Sequence, residues 1–333
     1  MMKNLWIVIT TVNKPSKAIV EYSKIARHMG WKLLIVGDAK TPADYANFDC
    51  EFLSLEAQHQ NWSEFSRLVP LNHYCRKNIG YLHAFQNGAE WVFDTDDDNI
   101  PLEGFAESLT ARRRAQAVVR KGFVNVYKYF TREPLWPRGL PLQEIGQAGT
   151  ATGQIEERSY ALTQFLADQD PDVDAIYRLT NNASVSFDRS AMAVYLRPGT
   201  WSPFNSQATL LNRACFRTLY LPCHVPFRMT DIWRSFVAQK ILWADGEGIV
   251  FAPPNVVQER NPHDFFRDFR DEILGYLHNH EICARLDAVS VNDVAPDEQL
   301  LKCYAQMKEV GVVEERELVL IRQWNDLFDQ LGR

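Results

Sequence analysis

Residues 94–99, Asp-Thr-Asp-Asp-Asp-Asn, place four carboxylates within five consecutive positions, directly after the apolar stretch Trp91-Val-Phe93. Adjacent carboxylates repel one another, and a divalent cation removes the conflict. Oxygen ligands suit Mg²⁺ or Mn²⁺, which commonly take one or two carboxylates together with phosphate oxygens. Asp94 with Asp96, and Asp96 with Asp98, each form an Asp-X-Asp pair, so these three are the candidate metal ligands. The structural alternative is a turn with an Asn/Asp helix cap ahead of Pro101. A second constellation, Arg76-Lys77-Asn78, opens an expected helix. A diphosphate there would meet two cations, an amide donor and the positive helix terminus. A solvated surface charge run is the plainer reading of the same three residues.

The elements around these residues alternate. Leu5–Thr10 reads as a buried strand, followed by a helix from about Pro15 to Met29 with Gly30 as its stop. Lys32–Val36 reads as a second strand and Glu51–Ser54 as a short third. Tyr74–Gln86 reads as a helix, and residues 90–94 as a fourth strand running into the acidic cluster. Such alternation predicts an α/β fold with a mostly parallel sheet and helices on both faces. Ligands of such sheets sit beyond the carboxyl ends of the strands, where Thr10, Thr11, Asp38 and the acidic cluster all fall. Residues 100–225 read as irregular, with Thr110–Lys121 as a basic helix face. Thr230–Trp243 reads as a helix, and Gly248–Val257 as a strand broken by Pro253-Pro254. Helices are expected over 263–286, 297–310 and 313–331. The expected division is 1–262, made of a nucleotide-binding half (1–100) and an acceptor half (101–262), plus a C-terminal helical appendage (263–333).

Several blocks together resemble the STELLO glycosyltransferase-like family of the GT-A superfamily. They are Arg76-Lys-Asn-Ile-Gly-Tyr-Leu82, Asp94–Asn99, Trp136-Pro-Arg-Gly-Leu-Pro-Leu142, the stretch from Asp172 to Thr180, Phe204–Gln207, Phe227-Arg228, Asp231-Ile-Trp-Arg234 and Arg260–His263. The chain is more distantly similar to the reversibly glycosylated polypeptides, which act as UDP-arabinopyranose mutases. Phe93-Asp-Thr-Asp96 also resembles the nucleophile loop of haloacid-dehalogenase-like phosphatases, but it follows a complete βαβ half and lacks the Gly-Thr continuation. The resemblance implies a GT-A, Rossmann-like fold and a strand-end Asp-X-Asp that bridges through metal to a nucleotide sugar. It implies a donor set of Thr10, Thr11, Asn13, Asp38, Arg76, Lys77, Asn78, Asp94, Thr95 and Asp96. It implies Asp231 as the acceptor-side base, with Arg228 and Arg234 around it, and His263 as a further metal ligand beside Asp94, Asp96 and Asp98. Asp38 as a loop turn, Asp231 as a helix N-cap paired to an arginine, and His263 as a capping residue stay open. Trp136, Arg138 and Trp201 could line the sugar pocket or pack in the core. Asn205 and Gln207 suit sugar hydroxyls, and Arg178 suits a salt bridge or a phosphate contact.

Composition agrees with an ordinary globular protein. The 333 residues are 46% hydrophobic and 23% charged, which excludes disorder and fibrous repeats. With 36 Lys and Arg against 42 Asp and Glu, the net charge of -6 argues against nucleic acid held by bulk charge. The six cysteines show no CxxC spacing, which reads as free thiols in a reducing cytoplasm and not as zinc ligands. Met1–Thr11 is too short for a leader, and no run reaches the roughly 20 apolar residues of a membrane span. Together with the acidic cluster, the resemblance implies metal-dependent transfer of a sugar from a nucleotide sugar, expected to be UDP-linked, with Mn²⁺ or Mg²⁺, to a carbohydrate or glycoconjugate acceptor. A UDP-sugar mutase and a non-catalytic carbohydrate- or nucleotide-binding scaffold are the alternatives. Homo-oligomerisation is left open.

Overall fold

The structure, a computed structural model, describes residues 2–181, 184–259 and 264–332. The apolar run Leu5–Thr10 forms β1. Its alternate residues feed two cores: Trp6 and Val8 on one face, Leu5, Ile7 and Ile9 on the other. Helix α1 (Lys17–Met29) is capped by the Ser16 side chain, which accepts from the Ile19 amide, and ends on left-handed Gly30. Strands β2 (Lys32–Val36) and β3 (Glu51–Leu53) follow. Helices α2 (Leu55–Asn61) and α3 (Ser63–Leu68) lead to a 3-10 turn, Tyr74–Arg76, which runs into α4 (Lys77–Gln86). Strand β4 (Trp91–Thr95) is buried throughout. β1 pairs in parallel with β2 and β4, and β2 with β3, so the expected βαβ half is present. At Gly80 of α4 a Cβ would lie 2.5 Å from Val36 Cγ2 and 2.9 Å from Val8 Cγ1. Glycine thus lets α4 lie close on the sheet and brings Lys77 over the end of β4.

The second half interleaves strands of both directions. They are β5 (Asn99–Pro101), β6 (Arg112–Val119) after the short α5 (Phe105–Ser108), β7 (Gly122–Phe123), β8 (Thr150–Ser159) and β9 (Leu162–Asp168). After α6 (Ala175–Thr180) come β10 (Ala193–Leu196), β11 (Thr200–Trp201) and β12 (Ala208–Asn212), then α7 (Thr230–Ala244) and β13 (Ile249–Gln258). Among the described residues the main sheet runs β3-β2-β1-β4-β12-β9-β13-β10-β6-β8, with β5 on β13. The pairings orient β1–β4, β8, β9 and β13 one way and β5, β6, β10 and β12 the other. The fold class is the expected α/β, with the parallel block at one end. The basic stretch expected as a helix face is instead β6. Its burial follows a period near two, with Arg112 and Arg114 exposed and Ala115 and Ala117 buried, because β10 and β8 pair with it on both sides. Pro253-Pro254 interrupt the register of β13 without ending it.

Helices α8 (Phe265–Ala288), α9 (Pro296–Val310) and α10 (Glu315–Leu331) lie close to their expected bounds. They pack into the same core as the sheet: Ile282, Leu300, Tyr304, Ile321, Trp324 and Phe328 cluster with Trp6, Phe65, Tyr220 and Trp233. The buried Glu317 carboxylate accepts from the amides of Cys223 (2.8 Å) and His224 (2.7 Å) and from the Tyr220 hydroxyl. The C-terminal helices therefore brace the loop that leads into α7.

Candidate active site

The carboxyl ends of β1 and β4, the start of β12 and the end of β13 converge on a cleft of about 220 Å³. It is lined by Thr10 with Asp96, Asp97 and Asp98, by Tyr74, Arg138, Asp172, Arg228 and Asp231, and by Asn205–Gln207 and Gln258. This is the crevice position expected for a sheet of this kind.

The acidic segment divides its residues between core and cleft. Asp94, the last-but-one residue of β4, points inward and is fully buried. It accepts from the Tyr81 hydroxyl at 2.7 Å and pairs with Lys77 Nζ at 2.8 Å and Arg234 at 3.5 Å. Thr95 is also internal, its hydroxyl 3.2 Å from Tyr22 Oη. Asp94 and Thr95 are therefore not on the cleft, which corrects their expected places there: side chains alternate along the buried β4, and only the loop beyond it opens. Asp96 faces the cleft. Burial pushes its carboxyl up to about 7; Lys77 opposes this, while Asp98 and Asp94 add to it. Asp97 Oδ2 accepts from Thr11 Oγ1 at 2.5 Å and from Asn13 Nδ2 at 3.0 Å. Asp98 accepts from Gln258 Nε2 at 3.3 Å.

Lys77 is the internal counter-charge of this segment. Its Nζ donates to Asp96 Oδ1 (2.9 Å), to the carbonyl of Thr95 (2.9 Å) and to that of Ser206 (3.3 Å). Burial disfavours the ammonium, but Asp94 and Asp96 outweigh it and hold the group above its ordinary value. The expected phosphate contact is thereby corrected, because the ammonium is consumed inside. Arg76 is corrected too: it is fully buried and donates to Gln58 Oε1 and to the carbonyls of Ser66 and Val69. Asn78 is buried and clips the backbone of Leu221, donating to its carbonyl and accepting from its amide, both at 2.8 Å. All three sit where α4 is pressed on the sheet, so their polar ends turn to inner partners.

Across the cleft, Arg138 forms a two-sided fork. It donates to both oxygens of Asp172 at 2.8 Å, and to Asp231 Oδ1 and Oδ2 at 3.0 and 2.9 Å. Burial opposes the charge, but the two carboxylates hold the guanidinium well above its ordinary value. Asp231 also accepts from the Tyr74 hydroxyl (3.1 Å) and the Ser206 amide (3.3 Å). The residue before α7 is Met229, with no side-chain cap, so Asp231 lies in the first turn and is not the N-cap. Arg228 lines the cleft and is held by Glu272 of α8 at 2.9 Å. Arg234 is not beside Asp231 on the cleft. One turn along α7 it lies buried under Asp94, 5.2 Å over the Phe204 ring. Gly139, next to Arg138, has φ 87, and a Cβ there would collide with Ile232, so the fork needs glycine to approach α7.

Thr10 lines the cleft, and Thr11 and Asn13 border it through Asp97. Asp38 organises a loop: its carboxylate accepts from the amides of Ala39 (2.6 Å) and His73 (3.1 Å). Trp201 is core, and Trp136 donates to Asp174 at 2.6 Å, away from the cleft lining. Arg178 pairs with Asp170, as a salt bridge predicts. Asn205 and Gln207 line the cleft as expected. His263 lies outside the described residues. Tyr74, Asp172, Phe227 and Gln258 carry no site role in the sequence reading, although Asp172 and Phe227 belong to its family-like blocks; only the strand and loop geometry brings them to the cleft.

Among the described residues no group of three or more His, Cys, Asp or Glu side chains is arranged to hold a metal. Of the expected ligands among the described residues, Asp96 and Asp98 line the cleft. Two carboxylates are enough for a cation that completes its shell with substrate phosphates and water. The Asp96 carboxyl is raised first by burial, with Asp98 and Asp94 adding to it, and a bound cation would favour its charged form.

Residues 228–324 match the family model described as STELLO glycosyltransferases. The resemblance to the STELLO family stands. Two Arabidopsis thaliana proteins, named probable glycosyltransferases STELLO2 and STELLO1, are 30% identical over 271 residues and 29% identical over 269. Each match covers 75% of this chain, and the chain spans about a third of the length of these curated relatives, 35% and 34%. A solved mycobacterial protein superposes with a TM-score of 0.43 at 12% identity, over 84% of this chain and 75% of that one. The STELLO-matched region opens at Arg228 and so contains Asp231, Glu272, helices α8 and α9 and the first part of α10. Among the described residues no helix is long and apolar enough to cross a membrane.

Proposed function

We propose that the cleft binds a nucleotide sugar, UDP-linked, and transfers its glycosyl group to a hydroxyl of a carbohydrate or glycoconjugate acceptor. The bond from the anomeric carbon to the diphosphate breaks, a bond to the acceptor oxygen forms, and the acceptor's proton passes to a base. The observation that carries the reading is one cleft lined by two strand-end carboxylates, Asp96 and Asp98, and by the Arg138-held Asp231. Asp96 and Asp98 would hold a divalent Mn²⁺ or Mg²⁺, which supplies charge neutralisation to the leaving diphosphate. Thr10, Thr11 and Asn13 take the nucleoside side. Asp231, oriented by Arg138 and Tyr74, takes the acceptor side and receives the proton. Lys77 holds Asp96 in place from behind. All six cysteines are free, and we assign the chain to a reducing, cytoplasmic compartment on that ground.

The test is calorimetry of UDP with the full chain, with Mn²⁺ and with EDTA. UDP is expected to bind with Mn²⁺ and to lose most of its affinity in EDTA. At 100 times Kd the pair should add about 2.7 kcal/mol of stability. UDP affinity indifferent to EDTA would sink the metal bridge, and no UDP binding at all would sink the donor assignment.

A further inference from the structure

The cleft's lining is polar except at its lip, where Tyr74 and Phe227 are the aromatic members. Phe227 is 45% exposed, yet it is not loose. It opens a 3-10 turn, Phe227–Met229. Its carbonyl accepts from the Tyr74 hydroxyl at 3.1 Å. Its ring meets His73 at 5.0 Å and Tyr74 at 4.8 Å, both steeply inclined, while those two rings stack on each other with 12° between their planes. A large apolar ring is thus held rigidly, with much of its surface left to the cleft. The next residue is Arg228, tied to Glu272, and four residues on is Asp231. Asn205 and Gln207 add neutral donors and acceptors in the same cleft.

A rigid aromatic surface rimmed by fixed polar groups matches the amphipathic shape of a sugar ring, with one C–H face and hydroxyls around its edge. A flat nucleobase could also stack, but Phe227 shares the Tyr74 hydroxyl with Asp231, the acceptor-side residue of that reading. We infer that Phe227 is the acceptor platform: a pyranose of the acceptor stacks on its ring and presents a hydroxyl towards Asp231. The inference rests on the glycosyl-transfer reading above and adds the chemical class and place of the acceptor. Phe227 is a binding residue that sets which sugar face is admitted. Because it is already held by His73 and Tyr74, little ordering is lost when a sugar docks.

Saturation-transfer NMR on the full chain, with UDP and Mn²⁺ present, tests it. The probes are the methyl α- and β-pyranosides of glucose, galactose and arabinose. At least one should receive saturation mainly through its C–H face. Phe227→Ala should weaken that pyranoside about tenfold, Phe227→Trp should keep it, and UDP affinity should be equal in all three proteins. Equal pyranoside binding by wild type and Phe227→Ala, or no binding by any probe, overturns the platform while UDP binding stays intact. Weakened UDP binding by Phe227→Ala overturns it in favour of a nucleobase contact. Failure of wild type to bind UDP overturns the transfer reading and the acceptor role with it.

Discussion

Two side chains carry opposite electrostatic problems, and each makes a prediction. Arg138 is shared by the buried carboxylates of Asp172 and Asp231. Removing it strips the cation from two buried carboxylates, leaving Asp172 with Asn205 and the more distant Arg228, and Asp231 with the neutral donors Tyr74 and Ser206. Arg138→Ala should cost about 3–5 kcal/mol in denaturant unfolding, and Arg138→Lys should not restore it, because an ammonium cannot serve two carboxylates bidentately. A loss below about 1 kcal/mol would show that water replaces the fork. Asp96 has too much negative charge near it and a carboxyl raised from 3.8 to about 7, chiefly by burial. A raised acid binds more proton folded than unfolded. Its contribution to apo stability is therefore full below about pH 3.8 and lost as pH rises through about 7. Asp96→Asn should flatten the fall in apo stability between those limits, read from denaturant midpoints at several pH values. A steeper fall in the variant would refute the assignment. The same carboxyl should release protons when Mn²⁺ binds near pH 6.5, seen by calorimetry in buffers of different ionisation enthalpy.

At the scale of elements, the site depends on how closely α4 lies on β1 and β2. Gly80 makes that approach, and one turn earlier Lys77 reaches the end of β4 and the start of β12. Gly80→Ala should overpack against Val8 and Val36 and destabilise by about 1–3 kcal/mol. It should also displace Lys77 from Asp96 and so weaken Mn²⁺-dependent UDP binding. If UDP affinity stays at wild type while stability falls, the helix tolerates the shift without passing it to the acidic loop. The Asp231 part of the cleft is built differently, since α7 is entered through a turn braced by Tyr74, and Arg228 of that turn is held from α8.

Over the whole molecule, the two halves and the C-terminal helices share their cores. Trp324 and Phe328 of α10 cluster with Phe65 and Tyr220, and Glu317 satisfies the backbone of the loop before α7. The chain should accordingly unfold in one cooperative step, with calorimetric and van't Hoff enthalpies equal. A separate early transition that removes helical signal while UDP still binds would make α8–α10 an independent appendage after all.

The sequence by itself determined the βαβ half, α7, the three C-terminal helices and the place of the acidic segment beyond a buried strand. Those features are local: an apolar run, a helical stripe, a glycine stop and a carboxylate cluster are all written within a few neighbouring residues. It also marked Asp96, Asp98, Arg138, Asn205, Gln207 and Asp231, which the fold brings to one cleft. It could not distinguish Asp94 and Thr95, which turn inward, from Asp96, which turns out. Nor could it see that Arg76, Lys77, Asn78 and Arg234 direct their polar groups inside. Charge on a residue does not say which way its side chain points; that is settled by what packs against the other face. The basic stretch 112–114 became a strand for a similar reason, because β8 and β10 offered backbone partners on both sides. The pairing of Asp172 with Asp231 through Arg138, and the Phe227 ring gripped by His73 and Tyr74, join segments 34 to 154 residues apart. Such contacts exist only after the sheet has brought its loops together, so tertiary structure alone decided them.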